Sequence, residues 1–338
     1  MSHASTEFAK SDTRLQNFPV AFYSVVLGVM GLAIALQRAE TILGLQWGLA
    51  PFALGAGLLV FGVVTLALVA KFIKYRAAFM AEFHHPIKIC FFATFPKSLL
   101  LFSVAFLSID MAVSRAFWMA GAALQLLMML VIVNIWMNDS KFKLDHFSPA
   151  WFLPVVGNIL VPLAGVEHAH PDISWFFFAI GLTFWVILFV TFFYRIVFHN
   201  PLPARLIPTL VILMAPPAIG FIAYAKLTGE TLDSFGKALF LLGLFLAILV
   251  ATQIPRFAKL PFFLSWWAYS FPLAAVTISV MLMSRLQPEL LFYRYLAFGL
   301  LAALGAVLLL LVIKTAQAMT RQEICADETE AKPAPAQT

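Results

Sequence analysis

The chain has 338 residues, 62% of them apolar and only 11% charged, with a mean hydropathy of +0.94. So few charges cannot cover the surface of a soluble domain, and the composition is that of a protein crossing a membrane many times. Its net charge of +6 is spread over short segments between apolar runs rather than along one face, which speaks against nucleic acid and for lipid head groups and membrane topology.

Residues 1–17, MSHASTEFAKSDTRLQN, are polar. They lack the short apolar core and small-residue cleavage site of a secretory signal, so the first apolar run is expected to be retained as a span. Runs long enough to cross a bilayer follow at 18–36, 49–70, 89–109, 117–137, 149–166, 173–198, 206–225, 235–253, 260–283 and 290–313. The fifth is the weakest, interrupted by Pro154, Asn158 and Pro162. The expected organisation is a polar N-terminus over 1–17, a membrane domain over 18–314 and a tail over 315–338. That tail ends in ADETEAKPAPAQT, which has too little apolar surface to order itself.

With the N-terminus inside, the cytoplasmic segments hold most of the basic residues, among them Lys71, Lys74, Arg76, Lys141, Lys143 and Arg256. The opposite side holds Arg38, Arg115, Lys226, Lys237, Arg285 and Arg294. The positive-inside rule then predicts an inner-membrane protein with both termini cytoplasmic.

Prolines divide the spans into two classes. The odd runs contain Pro19, Pro96, Pro154, Pro162, Pro208, Pro216, Pro217, Pro261 and Pro272, whereas the even runs contain only Pro51, at a first turn where proline is harmless. Odd runs all point outward and even runs all return, which gives five hairpins of one orientation that can be arranged about an axis along the membrane normal. Kinks at Pro96, Pro154, Pro216, Pro217 and Pro272 would free backbone carbonyls that lipid cannot satisfy, so the odd helices belong inside and the straight even helices outside. Gly55, Gly57, Gly62, Gly243, Gly299 and Gly305 on the even runs suit close helix packing.

Lys97 follows Pro96 near the middle of the third run, where a lysine costs at least about 2.5–3.5 kcal/mol. Either its ammonium faces a central cavity and attracts anions, or it snorkels to the interface or pairs with freed carbonyls. No Asp, Glu or His occupies the centre of any run, so the carboxylate or histidine relay of a proton-driven pump is missing. In GVEHAHPDIS, Glu167, His168 and His170 lack the framework of a metal site, and no metal or cofactor is expected. His84 and His85 end a basic stretch that reads as an interfacial helix. Cys90 and Cys325 stand in no motif, and no nucleophile elbow, phosphate loop or dinucleotide fingerprint is present, so the chain does not read as an enzyme.

In the ninth run Phe271 precedes Pro272, on a helical stripe with the small residues Ala268, Ala274 and Ala275. One large ring set among small side chains is the pattern of an aromatic gate in a lumen.

Four pieces carry a resemblance that covers about 18–314: HHPIKICFFATFP ending at Pro96, PAWFLPVVGN from Pro149, APPAIGFIAY from Ala215 and SWWAYSFPLA from Ser265. They resemble the tellurite-resistance/dicarboxylate transporter family, which includes TehA, the slow-type anion channels of plant guard cells and fungal malate and sulfite transporters. The resemblance implies ten helices in five hairpins, kinked odd helices lining a pore through each subunit, and three subunits. It also implies that the aromatic of the Trp267-Ala268-Tyr269-Ser270-Phe271 pattern plugs the pore. Lys97 departs from the family's third helix, in which an apolar or small residue follows the proline. The expected function is a passive anion channel or transporter gated by Phe271, with a coupled exporter of sulfite, tellurite or a C4-dicarboxylate as the alternative.

Overall fold

The structure, a computed structural model, describes residues 14–325. The extreme N-terminus and the acidic and proline-rich end of the tail, for which disorder is expected, lie outside the described residues. Ten helices are long and apolar enough to cross a membrane, and no strand occurs among the described residues. They are α1 (Val20–Leu43), α2 (Ala50–Lys74), α3 (Lys88–Phe106), α4 (Met111–Asn138), α5 (Pro149–His168), α6 (Pro171–Phe198), α7 (Ala204–Leu227), α8 (Ser234–Ala251), α9 (Leu264–Leu286) and α10 (Leu291–Thr320). The protein is therefore an all-α, multi-pass membrane protein. Helix α10 continues six residues past the 314 boundary that hydropathy suggests, and α9 starts after Pro261 rather than before it.

Burial separates the two classes of helix. In the odd helices 72–83% of the apolar window is buried, against 22–33% in the even ones. Each odd helix packs on the even helix that follows it, and the odd helices also pack on one another in the cyclic order α1, α3, α5, α7, α9 and back to α1. The inner wall is thus a closed ring of five helices, with the even helices laid around it. Gly57 fits against Met30 and Gly243 against the backbone of Ala218, each within its own hairpin. A Cβ added at Gly55, Gly62, Gly299 or Gly305 would meet no neighbouring helix within 4 Å.

Where the sequence predicts kinks, the structure has a change of helix type. Every odd helix starts in 3-10 geometry, over Val20–Phe22, Lys88–Ala93, Pro149–Trp151, Ala204–Met214 and Leu264–Tyr269, and then becomes α-helical, with a second 3-10 stretch in α5 over Gly157–Leu160 and a π segment closing α1 over Ala39–Leu43. Pro96, Pro154 and Pro272 are the third residues of their α segments, and Pro216 and Pro217 the second and third of theirs. The first N–H groups of an α segment have no partner within it, so a proline there forfeits nothing. The upstream residues bond instead at the shorter 3-10 spacing. The even helices are single uninterrupted α-helices, and Pro171 joins Pro51 as a first-turn proline. Two of the loop carboxylates are caps: Asp110 accepts from the Ala112 and Val113 N–H groups at 2.9 and 3.0 Å, and Asp233 from Gly236 at 2.8 Å.

An even number of crossings brings the start of α1 and the end of α10 to one face, called here the terminal face. Arg14 donates to the Met319 carbonyl there at 3.3 Å. Beneath it, buried Lys71 donates to the Phe18 carbonyl at 2.9 Å and pairs with Glu82 at 3.4 Å. Glu82 belongs to the short helix Arg76–His84, the interfacial stretch expected from sequence. The opposite side is the distal face.

Candidate functional site

The ring encloses two cavities, and all five odd helices line both. The distal one, about 40 Å³, is bounded by Gly31, Ile34 and Arg38 of α1, Leu101 and Val104 of α3, Leu160 and Leu163 of α5, Ile219, Ile222 and Lys226 of α7, and Phe271, Ala274, Ala275 and Ile278 of α9. The inner one, about 60 Å³, is bounded by Ser24 and Leu27, Phe91 and Lys97, Phe152, Leu153, Val156, Gly157 and Leu160, Ile212, Ala215, Pro216 and Ile219, and Trp267, Ala268, Phe271 and Pro272. Each is large enough for water.

Three residues line both cavities: Leu160, Ile219 and Phe271. They form the partition between them, and Phe271 is its only aromatic member. The sequence stripe is divided across that partition, with Ala268 and Pro272 on the inner side and Ala274 and Ala275 on the distal side. Opposite, α1 presents Gly31, where an added Cβ would lie 2.8 Å from Ala274 Cβ and 3.6 Å from Phe271 Cδ2. The ring owes its space to glycine and alanine. Of the prolines, Pro216 and Pro272 reach a cavity surface, whereas Pro96, Pro154 and Pro217 are buried in the wall.

Lys97 lines the inner cavity at 5% exposure and makes no ion pair or hydrogen bond with a described residue, so it does not snorkel out. Arg38 and Lys226 line the distal cavity. Neither cavity has a carboxylate or histidine among its lining residues. Basic side chains stand at both ends of the pair and apolar ones at the partition.

Sequence reasoning places Arg38 and Lys226 in loops, because the apolar runs stop at 36 and 225. In the structure α1 and α7 continue past both. The signal was helical spacing: Gly31, Ile34 and Arg38, like Ile219, Ile222 and Lys226, continue one stripe beyond the apolar run.

At the distal mouth Lys226 lies 3.7 Å from Glu167 and 4.0 Å from Glu230, and Arg285 also bonds Glu230. Burial pushes the Glu230 carboxyl up, but the Arg285 hydrogen bond and the charges of Arg285, Lys226 and Arg38 outweigh it and hold the group below the usual carboxylate value. Glu167, His168 and His170 do not converge. His168 bonds Ser114 at 2.8 Å and His170 pairs with Asp172 at 3.4 Å, and among the described residues no three metal-ligating side chains come together.

The family model described as voltage-dependent anion channel matches residues 17–316, which take in all five hairpins. The chain belongs to the voltage-dependent anion channel family. Among its relatives is an uncharacterized transporter of Methanocaldococcus jannaschii, 26% identical across 93% of this chain and 98% of that one. An S-type anion channel of Arabidopsis thaliana is 30% identical across 78% of this chain and 52% of its own length. A tellurite resistance protein TehA homolog of Haemophilus influenzae is 22% identical across 77% and 80%. Membership of this family of channels and transporters covers the membrane region as a whole.

Proposed function

We propose that the chain is a passive anion channel or uniporter with a pore through each subunit, closed at Phe271. The observation that carries this reading is the lining of the two cavities, which contributes the cations Lys97, Arg38 and Lys226 and no carboxylate. Positive charge at either end raises the local anion concentration, while an apolar partition of Leu160, Ile219 and Phe271 blocks a hydrated ion as long as it stays dry. Turning the ring away from the partition would join the cavities. Small inorganic or organic anions fit a wall that offers basic side chains and no carboxylate.

Anion current through the full chain in planar bilayers tests the reading. Phe271→Ala is expected to raise current at least about tenfold, since hydrophobic constrictions gate by dewetting. A well-folded Phe271→Ala protein with wild-type current would overturn the gate. Accumulation of a labelled anion against its gradient, driven by an imposed pH difference, would overturn the passive mechanism in favour of coupled export.

Placement in an inner membrane with both termini cytoplasmic belongs to the same proposal and is supported by the basic residues of the terminal-face loops. A homotrimer is part of the same proposal: its three subunits rest on the resemblance, while Gly55, Gly62, Gly299 and Gly305 support close approach of another helix on the outer helices α2 and α10.

A further inference from the structure

Two polar side chains, Lys97 of the inner cavity's wall and Gln125 behind it, meet over one glycine. Lys97, on α3, makes no ion pair or hydrogen bond among the described residues and lines the cavity. Gln125, on the outer helix α4, is fully buried; its Nε2 donates to the Pro154 carbonyl at 2.7 Å, which fixes the amide orientation and leaves Oε1 a buried acceptor without a partner. Both lie against Gly157 of α5. A Cβ there would overlap Lys97 Cε and come within 2.8 Å of Gln125 Nε2 and 3.0 Å of Gln125 Cδ.

A buried donor and a buried acceptor left unpaired are each costly, and an unpaired cation more so. Gly157 brings the Lys97 stem and the Gln125 amide to one place, so turning the lysine's terminal bonds toward Oε1 would pair the two. We propose that Gln125 is a positioning residue for Lys97: Oε1 holds the ammonium against the wall of the inner cavity when no anion is present and releases it to an entering anion. Gly157 is the clearance that lets the two side chains meet. This rests on reading the cavities as an anion path, and it assigns that path a monovalent-anion site whose affinity is set by competition between a neutral amide oxygen and the anion. The amide lowers affinity and speeds departure, as conduction requires. It also explains how a residue of the outer helix layer enters the function of an inner ring that it does not line.

The test uses nitrate as probe on the full chain. In bilayers, Gln125→Met, which keeps side-chain bulk and removes the acceptor, is expected to lower the half-saturating nitrate concentration about fivefold and to lower maximal current as well. Gln125→Asn, too short to hold both Pro154 and Lys97, is expected to shift it in the same direction and keeps the test open if the methionine variant folds poorly. In a Lys97→Met background neither substitution is expected to move half-saturation by more than about 1.5-fold, since a residue acting through another shows no effect once that other is gone. An unchanged half-saturation in folded Gln125 variants overturns the proposal, and so does an equal shift with and without Lys97.

Nitrate-dependent protection against thermal unfolding in detergent reads the same site without conduction. If the wild type carries no anion current yet nitrate protects it, with protection strengthened by Gln125→Met and abolished by Lys97→Met, the conduit reading fails and the site stands. Current without any coupling between residues 97 and 125 leaves the conduit standing and removes the site.

Discussion

The Phe271 ring shares its partition with Leu160 and Ile219, and it faces an α1 surface kept open by Gly31. A methyl group at residue 31 would come 2.8 Å from Ala274 Cβ, which forces α1 and α9 apart where they pack closely. Gly31→Ala is therefore expected to destabilise by about 1–3 kcal/mol, the usual cost of overpacking. Adding Ala274→Gly should recover most of that. Thermal midpoints of the two variants in detergent measure it, and failure of the double variant to recover would show that the cost lies elsewhere. At this scale the sequence made Phe271 and Lys97 legible, because each breaks a local rule: a bulky ring on a small-residue stripe, and a charge at mid-membrane. Gly31 and Gly157 break none, and Gln125, a polar amide within the apolar fourth run, breaks one without showing what it faces. Their importance comes from what another helix brings opposite them, which no single-helix pattern contains.

The inner helices change type along their length, and the 3-10 part of α9 is held by side chains as well as by backbone. In α9, Trp267 Nε1 donates to Thr315 of α10 at 2.9 Å, Ser270 to the Trp267 carbonyl at 2.6 Å and Ser265 to the Arg205 carbonyl of α7 at 2.6 Å. The change of helix type is thus fixed from several sides, with Pro272 adapted to it rather than imposing it. Pro272→Ala is expected to cost only about 0.4–1 kcal/mol, chiefly through the freer unfolded chain, and to leave current within about twofold of wild type. Trp267→Phe, which removes the tie to α10 from a residue that lines the inner cavity, should alter current more than that. Recording both variants side by side decides the matter, and a manyfold change in Pro272→Ala alone would make the proline the cause of the geometry. The proline census picked out the right five helices because proline is tolerated where such junctions occur. It could not distinguish a kink from a junction, since both leave the same residue in the sequence.

Across the whole molecule, the distal face ties together the ring that the terminal face closes by other means. Glu167 at the end of α5, Lys226 of α7, Glu230 in the following turn, Arg285 of α9 and Arg38 of α1 form one charge group over the mouth of the distal cavity. Glu230 is central to it and is held there with a positive φ of 62°, a backbone conformation that non-glycine residues seldom adopt. Its carboxyl lies below the ordinary value of 4.5, so its contribution to stability is fully present above that pH and is lost as pH falls through the lower folded-state value. The difference in thermal midpoint between wild type and Glu230→Gln is accordingly expected to be constant at neutral pH and to shrink toward zero on acidification. The same carboxylate offsets Arg38, Lys226 and Arg285 in front of the pathway. Glu230→Gln should then raise anion entry from the distal side about two- to threefold at low salt, an advantage that fades near 1 M salt, where screening acts within about 3 Å. Salt dependence separates an electrostatic role from mere loosening of the mouth: loosening would persist at high salt, and a salt-independent gain in current would rule the electrostatic role out.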